Sequence, residues 1–363
     1  KRQVCSSGLH AQTDLHANAY SIIQDAVTDI VCTSPTDAIQ KEKRVIQILD
    51  EKGKGDASFV CMCDRFSSLK KFSGEVRDAS GNVIRKIKKS ELKVTEYSDE
   101  LVSDDYYYFF EYTPSRYPIT ITYEWEIKNS DGLIGYPSFL PQKNYNQSVA
   151  QASYRILTPA DNPCRYRTIN MQAEVSQKQT ADGNWLTEVK VQSLPAIQKE
   201  PYSPALSELL PRIYFTPRNF SFEGTKGSMD NWQTYGAWQY QLLSGRDQIP
   251  PALKEELQRR TANCNTPYEK IAAVYQYLAS TTRYVSIQLG IGGLQPIAAA
   301  DVHRTGFGDC KGLSNYMRAM LTELGIPSTY TVISTTNRRL LADFASANQN
   351  NHVMLQVPLP NDT

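Results

Sequence analysis

The chain lacks any apolar run approaching the roughly 18 residues a membrane-spanning helix needs, so no helical span is expected. It also lacks an excess of one charge sign. Lys plus Arg number 39 against 38 for Asp plus Glu, a formal net charge of +1. Such a balance supplies no long-range field toward nucleic acid or an anionic membrane surface. Histidine is scarce: His10, His16, His303 and His352 are the whole supply. Cysteine is present but odd in number and scattered. Cys5, Cys32, Cys61, Cys63, Cys164, Cys264 and Cys310 do not make a disulfide framework. No internal repeat or low-complexity tract stands out, and the N-terminus has no apolar core of a signal peptide. Leu9-His10-Ala11-Gln12 bears only a loose likeness to the end of a cleavage region. What is there is ordinary: 363 residues, 40% hydrophobic and 21% charged. That is a globular composition with length for about two domains.

The first half reads as strands. Ile39, Val45, Ile46, Ile48 and Leu49 sit in a strand-length stretch that stops at the turn Glu51 to Gly55. Val76 to Ile87 encloses Ala79-Ser80-Gly81-Asn82, a hairpin signal, and Asp182-Gly183-Asn184 is another. Ile119, Ile121, Tyr123, Trp125 and Ile127 alternate with Thr120, Thr122, Glu124, Glu126 and Lys128, which predicts one buried and one wet face. Tyr106 to Phe110 reads as a strand covered on both faces more readily than as a binding stripe. Cys61-Met62-Cys63 turns both sulfurs to one side. Two small core residues are the better reading there than half of a metal site. These signals predict an antiparallel β-sandwich over residues 18–200.

Pro201, Pro204, Pro211 and Pro217 then interrupt regular structure, and residues 201–229 are assigned as a linker. From 230 to 363 the period becomes helical. Asp230 with Gln233 suggests a capping box, with Trp232, Tyr235, Trp238 and Leu242 following at helical spacing. Thr266-Pro267-Tyr268-Glu269 is a stronger helix start, carrying the stripe Ile271, Val274, Tyr275 and Leu278.

The chemistry concentrates in Gly306-Phe307-Gly308-Asp309-Cys310-Lys311-Gly312-Leu313. Leu313, Tyr316, Met317, Met320, Leu321 and Leu324 continue it at helical spacing until Gly325 and Pro327 stop the helix. Asp309 fits the N-cap, which puts Cys310 in the first turn. Free N–H groups and the positive end of the helix dipole stabilise a thiolate there. The same N–H groups can hold an oxyanion. A structural cysteine on an amphipathic helix is the competing reading. It is weakened by the glycines beside Cys310, Gly308 in particular, which let backbone and substrate approach.

A thiolate needs an imidazole partner. His352 opens the strand His352 to Val357, with Val353, Leu355 and Val357 on one face and His352, Met354 and Gln356 on the other. Tyr330 to Ile333 forms an intervening strand, so an antiparallel pair would return His352 toward Cys310. His303 is the competitor. It lies seven residues before Cys310 and has no strand to hold it.

The string Arg283-Tyr284-Val285-Ser286-Ile287-Gln288-Leu289-Gly290-Ile291-Gly292-Gly293-Leu294-Gln295-Pro296, with Asp301-Val302, Gly308 to Leu313 and Asn351-His352-Val353, resembles the transglutaminase-like superfamily. Residues 20 to 200 look like the uncharacterised β-sandwich domain that precedes this core in bacterial, especially Bacteroidetes, envelope proteins. The resemblance implies an α+β chain of two domains, an antiparallel β-sandwich followed by a papain-like core with a helix packed on an antiparallel sheet. It also implies a Cys-His-Asp triad, in which Cys310 and His352 match the first two members. The third, an acid on the following strand, has no match before Thr363. Asp362 falls in the expected turn and is not assigned, and the core is expected to be truncated at its C-terminus. Gln288 and Gln295 are both candidates for an oxyanion side chain.

Two functions are therefore expected. One is a cysteine-dependent amide hydrolase, peptidase or acyltransferase that works through an acyl-thioester on peptide or protein substrates. The other is an inactive transglutaminase-like scaffold whose sandwich binds a protein or glycan. No metal, organic cofactor or nucleic-acid partner is implied. The resemblance suggests an exported, periplasmic or envelope protein. The polar segment 337–351 reads as a mobile loop or, less readily, a lid over the site. Substrate, oligomeric state, and the choice between hydrolysis and amine transfer stay open.

Overall fold

The computed structural model describes residues 14–96, 102–336 and 340–359. The expectations placed on His10, on Leu9 to Gln12, on residues 337–339 and on Asp362 lie outside them. The chain is α+β, with a strand-rich N-terminal part and a C-terminal part of helices and short strands.

The N-terminal strands, in chain order, are β1 (Ser21–Cys32), β2 (Ala38–Ile48), β3 (Phe59–Cys63), β4 (Ser67–Arg77), β5 (Val83–Lys88), β6 (Lys93–Glu96), β7 (Val102–Ser103), β8 (Tyr106–Phe110), β9 (Ile119–Asn129), β10 (Gln147–Thr158), β11 (Arg165–Ile169), β12 (Val175–Gln179) and β13 (Trp185–Leu194). Eight of them form one long sheet, in the order β12-β13-β10-β1-β2-β9-β4-β5. Neighbours are antiparallel except β1 and β10, which run parallel. Turn chemistry fixes the hairpins. The Asp78 carboxylate accepts from the Ser80 and Asn82 N–H groups, both at 2.9 Å, and Gly81 takes a φ of 85° between β4 and β5. Gly183, at φ 81°, does the same between β12 and β13.

Two cores cover one face of this sheet. Ile48, Ile119, Ile121, Tyr123, Val76 and Ile87 pack beneath the smaller sheet β3-β8-β6, whose Cys61 and Cys63 are both buried there. The alternation read from β9 is present: Ile119, Ile121 and Tyr123 are buried and the threonines between them are not. Full burial of each isoleucine contributes about 1.5–3 kcal/mol. The second core gathers Ile30, Val149, Tyr154, Ile156, Val189, Ile213 and Phe215 around the β1-β10-β13 end.

Residues 201–229, expected as a linker, are built into both parts. They contain a short helix, α1 (Leu206–Leu209), and three strands, β14 (Arg212–Thr216), β15 (Asn219–Phe222) and β16 (Thr225–Ser228). β14 pairs with β11 and buries Ile213 and Phe215 in the sandwich core. Pro211 and Pro217 flank this strand instead of interrupting it, where their missing N–H groups do no harm. The β15-β16 hairpin packs Phe220 and Phe222 against Tyr235, Trp238 and Leu242 and so joins the two parts.

The C-terminal helices are α2 (Trp232–Leu243), α3 (Pro251–Thr261), α4 (Pro267–Thr281), α5 (Ala299–Thr305) and α6 (Cys310–Glu323). Between and after them run β17 (Arg283–Tyr284), β18 (Ile287–Gln288), β19 (Phe307–Gly308), β20 (Thr329–Ile333) and β21 (His352–Gln356). Thr266 caps α4 as expected, with Glu269 completing the box. The cap of α2 is Asn231 with Thr234, one residue after the expected Asp230 and Gln233. The Asn231 amide accepts from the Thr234 N–H, while Asp230 is drawn to Arg218. The apolar stripe of α6, led by Tyr316, Met320 and Leu321, forms the centre of the core against α3, α4 and α5.

Candidate active site

Cys310 is the first residue of α6. The Asp309 carboxylate caps the helix, one oxygen accepting from the Gly312 N–H at 2.9 Å. Its other oxygen takes a buried ion pair from the Lys311 ammonium, and both side chains are almost wholly sheltered. One aspartate therefore closes the turn that carries the cysteine from both sides. Two glycines shape the approach. Gly306 ends α5 at a φ of 70°. At Gly308 an added Cβ would sit 3.3 Å from the Leu313 side chain, which would have to shift by a few tenths of an ångström to keep β19 this close to α6.

Cys310 is half-exposed, whereas Cys32, Cys61, Cys63 and Cys164 are buried. Of the side chains around it, Tyr284 is the one best defined. β17 pairs with β19 so that Tyr284 is opposite Gly308, and the Val285 N–H donates to the Gly308 carbonyl at 3.0 Å. This pairing sets the Tyr284 hydroxyl against the main-chain N–H and the thiol of Cys310. Burial first, then negative charge at Cys310, pushes the phenol above its ordinary pKa, and the Cys310 N–H pulls the other way. A second phenol, Tyr330 on β20, lies within electrostatic range of Cys310 and Asp309. Its hydroxyl is buried with no hydrogen-bond partner among the described residues.

β20 and β21 form the expected antiparallel pair, with Ile333 opposite His352 and Val332 opposite Val353, and β21 packs along α6. Leu355, which shares a face with Val353, rests on the α6 core. His352 alternates to the other face with Met354, which is solvent-exposed. Among the described residues no hydrogen bond joins His352 to the Cys310 sulfur. His303, the competing imidazole, bonds its Nδ1 to the Tyr316 hydroxyl at 2.9 Å, which ties α5 to α6. Gln295 is engaged elsewhere. Its carbonyl accepts from Arg246 at 2.7 Å and its amide reaches the Leu242 carbonyl. Gln288 reaches Ser286 at 3.5 Å, on a strand paired with β7 of the sandwich. Among the described residues neither amide is hydrogen-bonded to Cys310.

Sequence reading missed Tyr284, Tyr330 and Lys311. Tyr284 lay in plain view at the head of the Arg283 to Pro296 string. Its meaning depended on the two-residue pairing of β17 with β19, too short to leave a periodic signal. Lys311 reads as a solvated charge until its ammonium is seen folded back on Asp309.

Residues 255–363 match the family model of the transglutaminase-like superfamily, and residues 38–198 match a domain of unknown function, DUF3857. No curated protein matches. Among solved structures, a "putative protease" from Parabacteroides distasonis has a TM-score of 0.68 at 14% identity, over 93% of this chain and 65% of that one. This chain thus spans just under two thirds of that protein's length. An M1 zinc metallopeptidase from Deinococcus radiodurans has a TM-score of 0.25 at 9% identity, over 53% of this chain and 42% of that one.

Proposed function

From a chain whose C-terminal part is transglutaminase-like and follows a DUF3857 domain, we propose a cysteine-dependent acyl-transfer enzyme acting on peptide or protein amides. The observation that carries the proposal is the placement of Cys310, half-exposed at the first position of a capped helix with a phenol against its sulfur and N–H. Cys310 attacks the carboxamide carbon, and the tetrahedral oxyanion is held by the Cys310 N–H and the Tyr284 hydroxyl. The thiol proton passes through His352 to the departing amine as the C–N bond breaks. Water or a second amine then attacks the thioester and releases the acyl group. Since the sulfur and the imidazole are not hydrogen-bonded at rest, His352 must turn toward Cys310 as substrate enters.

A second reading rests on that same separation. In it the C-terminal part is a scaffold and the sandwich does the binding. Iodoacetamide labelling across pH distinguishes them. An activated Cys310 reacts faster in the native chain than the same cysteine in urea. The fast phase disappears in Cys310→Ala and slows in His352→Ala. Native Cys310 reacting no faster than the same cysteine in urea sinks the enzyme and leaves the scaffold.

A further inference from the structure

The two cores beneath the long sheet adjoin at the cross-strand pair Ile23 and Ile46. Beside that junction β2 presents Gln40, Glu42 and Arg44 on the covered face, with Thr28 next to Glu42 on β1. A cavity of about 250 Å³ opens here. It is lined by Arg44, Lys143, Asp56 and Asn144 and by the apolar walls Phe59 and Trp125.

The cations of this cavity are unusual. The Arg44 guanidinium is mostly sheltered and lies 5.7 Å from the centre of the Trp125 ring, yet it has no hydrogen bond or ion pair among the described residues. The ammonium of Lys143, an exposed residue at the mouth, has none either and lies within electrostatic range of both Arg44 and Glu42. Glu42 attracts Arg44 without touching it, and the carboxylate oxygens nearby accept from neutral donors. Glu42 accepts from Thr28 at 2.9 Å and from Gln40 at 2.8 Å. Asp56 accepts from Ser21, from Asn144 and, at 2.9 Å, from Gln147. A sheltered guanidinium that touches no carboxylate has its charge only partly compensated. An arginine stacked on an indole keeps its N–H edge free for a planar anion.

We propose that this cavity in the sandwich binds a carboxylate carried on a small apolar body, with Arg44 gripping it and Lys143 closing over it. The volume fits about one amino-acid residue, and the walls of Phe59 and Trp125 suit an apolar side chain. Asp56 and Glu42 close by disfavour a doubly charged anion such as phosphate. A peptide's terminal carboxylate and an acidic side chain both offer this chemistry. The site is independent of Cys310.

Calorimetric titration of the full chain with N-acetyl-leucine, N-acetyl-leucinamide, N-acetyl-aspartamide and inorganic phosphate tests the proposal. N-acetyl-leucine is expected to bind saturably, with the amide about tenfold weaker or worse. Equal binding by N-acetyl-aspartamide supports the site and makes the side-chain acid a source. Arg44→Gln is expected to weaken N-acetyl-leucine about tenfold and Lys143→Gln less. Cys310→Ala should bind as the wild type does. Arg44→Gln takes a favourable charge from Glu42 and should fold with a modestly lowered Tm. If it does not fold, Lys143→Gln carries the test. No saturable binding by any probe, equal affinity for acid and amide, tighter binding of phosphate, or undiminished binding by both variants each overturns the proposal.

Discussion

Replacing Asp309 with alanine separates two contributions that one carboxylate makes to the catalytic turn. One oxygen caps α6 through the Gly312 N–H, and losing an N-cap of this kind costs about 1 kcal/mol. The other pairs with Lys311, whose side chain is only 4% exposed. Removing one partner of a buried pair leaves the second charge uncompensated, at about 3–5 kcal/mol. Asp309→Ala should therefore lose about 4–6 kcal/mol locally. Asp309→Ala combined with Lys311→Met removes both charges and should lose only about the cap, near 1 kcal/mol. Hydrogen exchange of the α6 amides reads this directly, because it reports the opening of that helix without assuming that both parts of the chain unfold together. The double variant should then be better protected than the single one, a non-additivity that marks a real pair. If Asp309→Ala loses no more than a cap, or the double variant is no better than the single, Lys311 finds water in solution and the buried pair does not hold the turn.

Tyr284→Phe should slow acylation of Cys310 by about 100- to 1,000-fold through loss of one oxyanion donor, while Tyr284→Leu should do no better. A stopped-flow burst that is unchanged in Tyr284→Phe removes the phenol from the mechanism. Among the thiols, burial pushes Cys32 up to about 12 and Cys164 up to about 11. A raised pKa means less thiolate at any pH below it, so iodoacetamide at pH 8 should spare both in the native chain and modify both in urea. Mass mapping of the alkylated peptides checks this. Gly306→Ala puts a Cβ into a left-handed position with the Thr281 carbonyl 3.2 Å away, and should destabilise by about 1–2 kcal/mol. An unchanged denaturation midpoint in Gly306→Ala would show that the chain re-forms this turn another way.

Where the sequence was legible, local physics was sufficient. The Thr266 box, the Asp309 cap and the Gly325 stop of α6 each depend on residues within one turn. The alternation of β9 and the turns at Gly81 and Gly183 are equally local. The cap of α2 was misplaced by one residue because Asp230 and Asn231 are both good caps, and the Arg218 ion pair, a distant contact, settled the choice. β14 was hidden because prolines at both ends of a five-residue strand read as breaks until a partner, β11, is found for it.

The amino-acid sequence by itself determined the two-part order, the helix that begins at Cys310 and the strand that begins at His352. These follow from periodicity and capping, which act over a few residues. Only the tertiary structure decided that Tyr284 rather than Gln288 or Gln295 lies against Cys310, and that Arg44 stacks on Trp125 without touching a carboxylate. Each of those outcomes depends on the register of strands far apart in the chain, and register is set by packing that no short stretch of sequence contains.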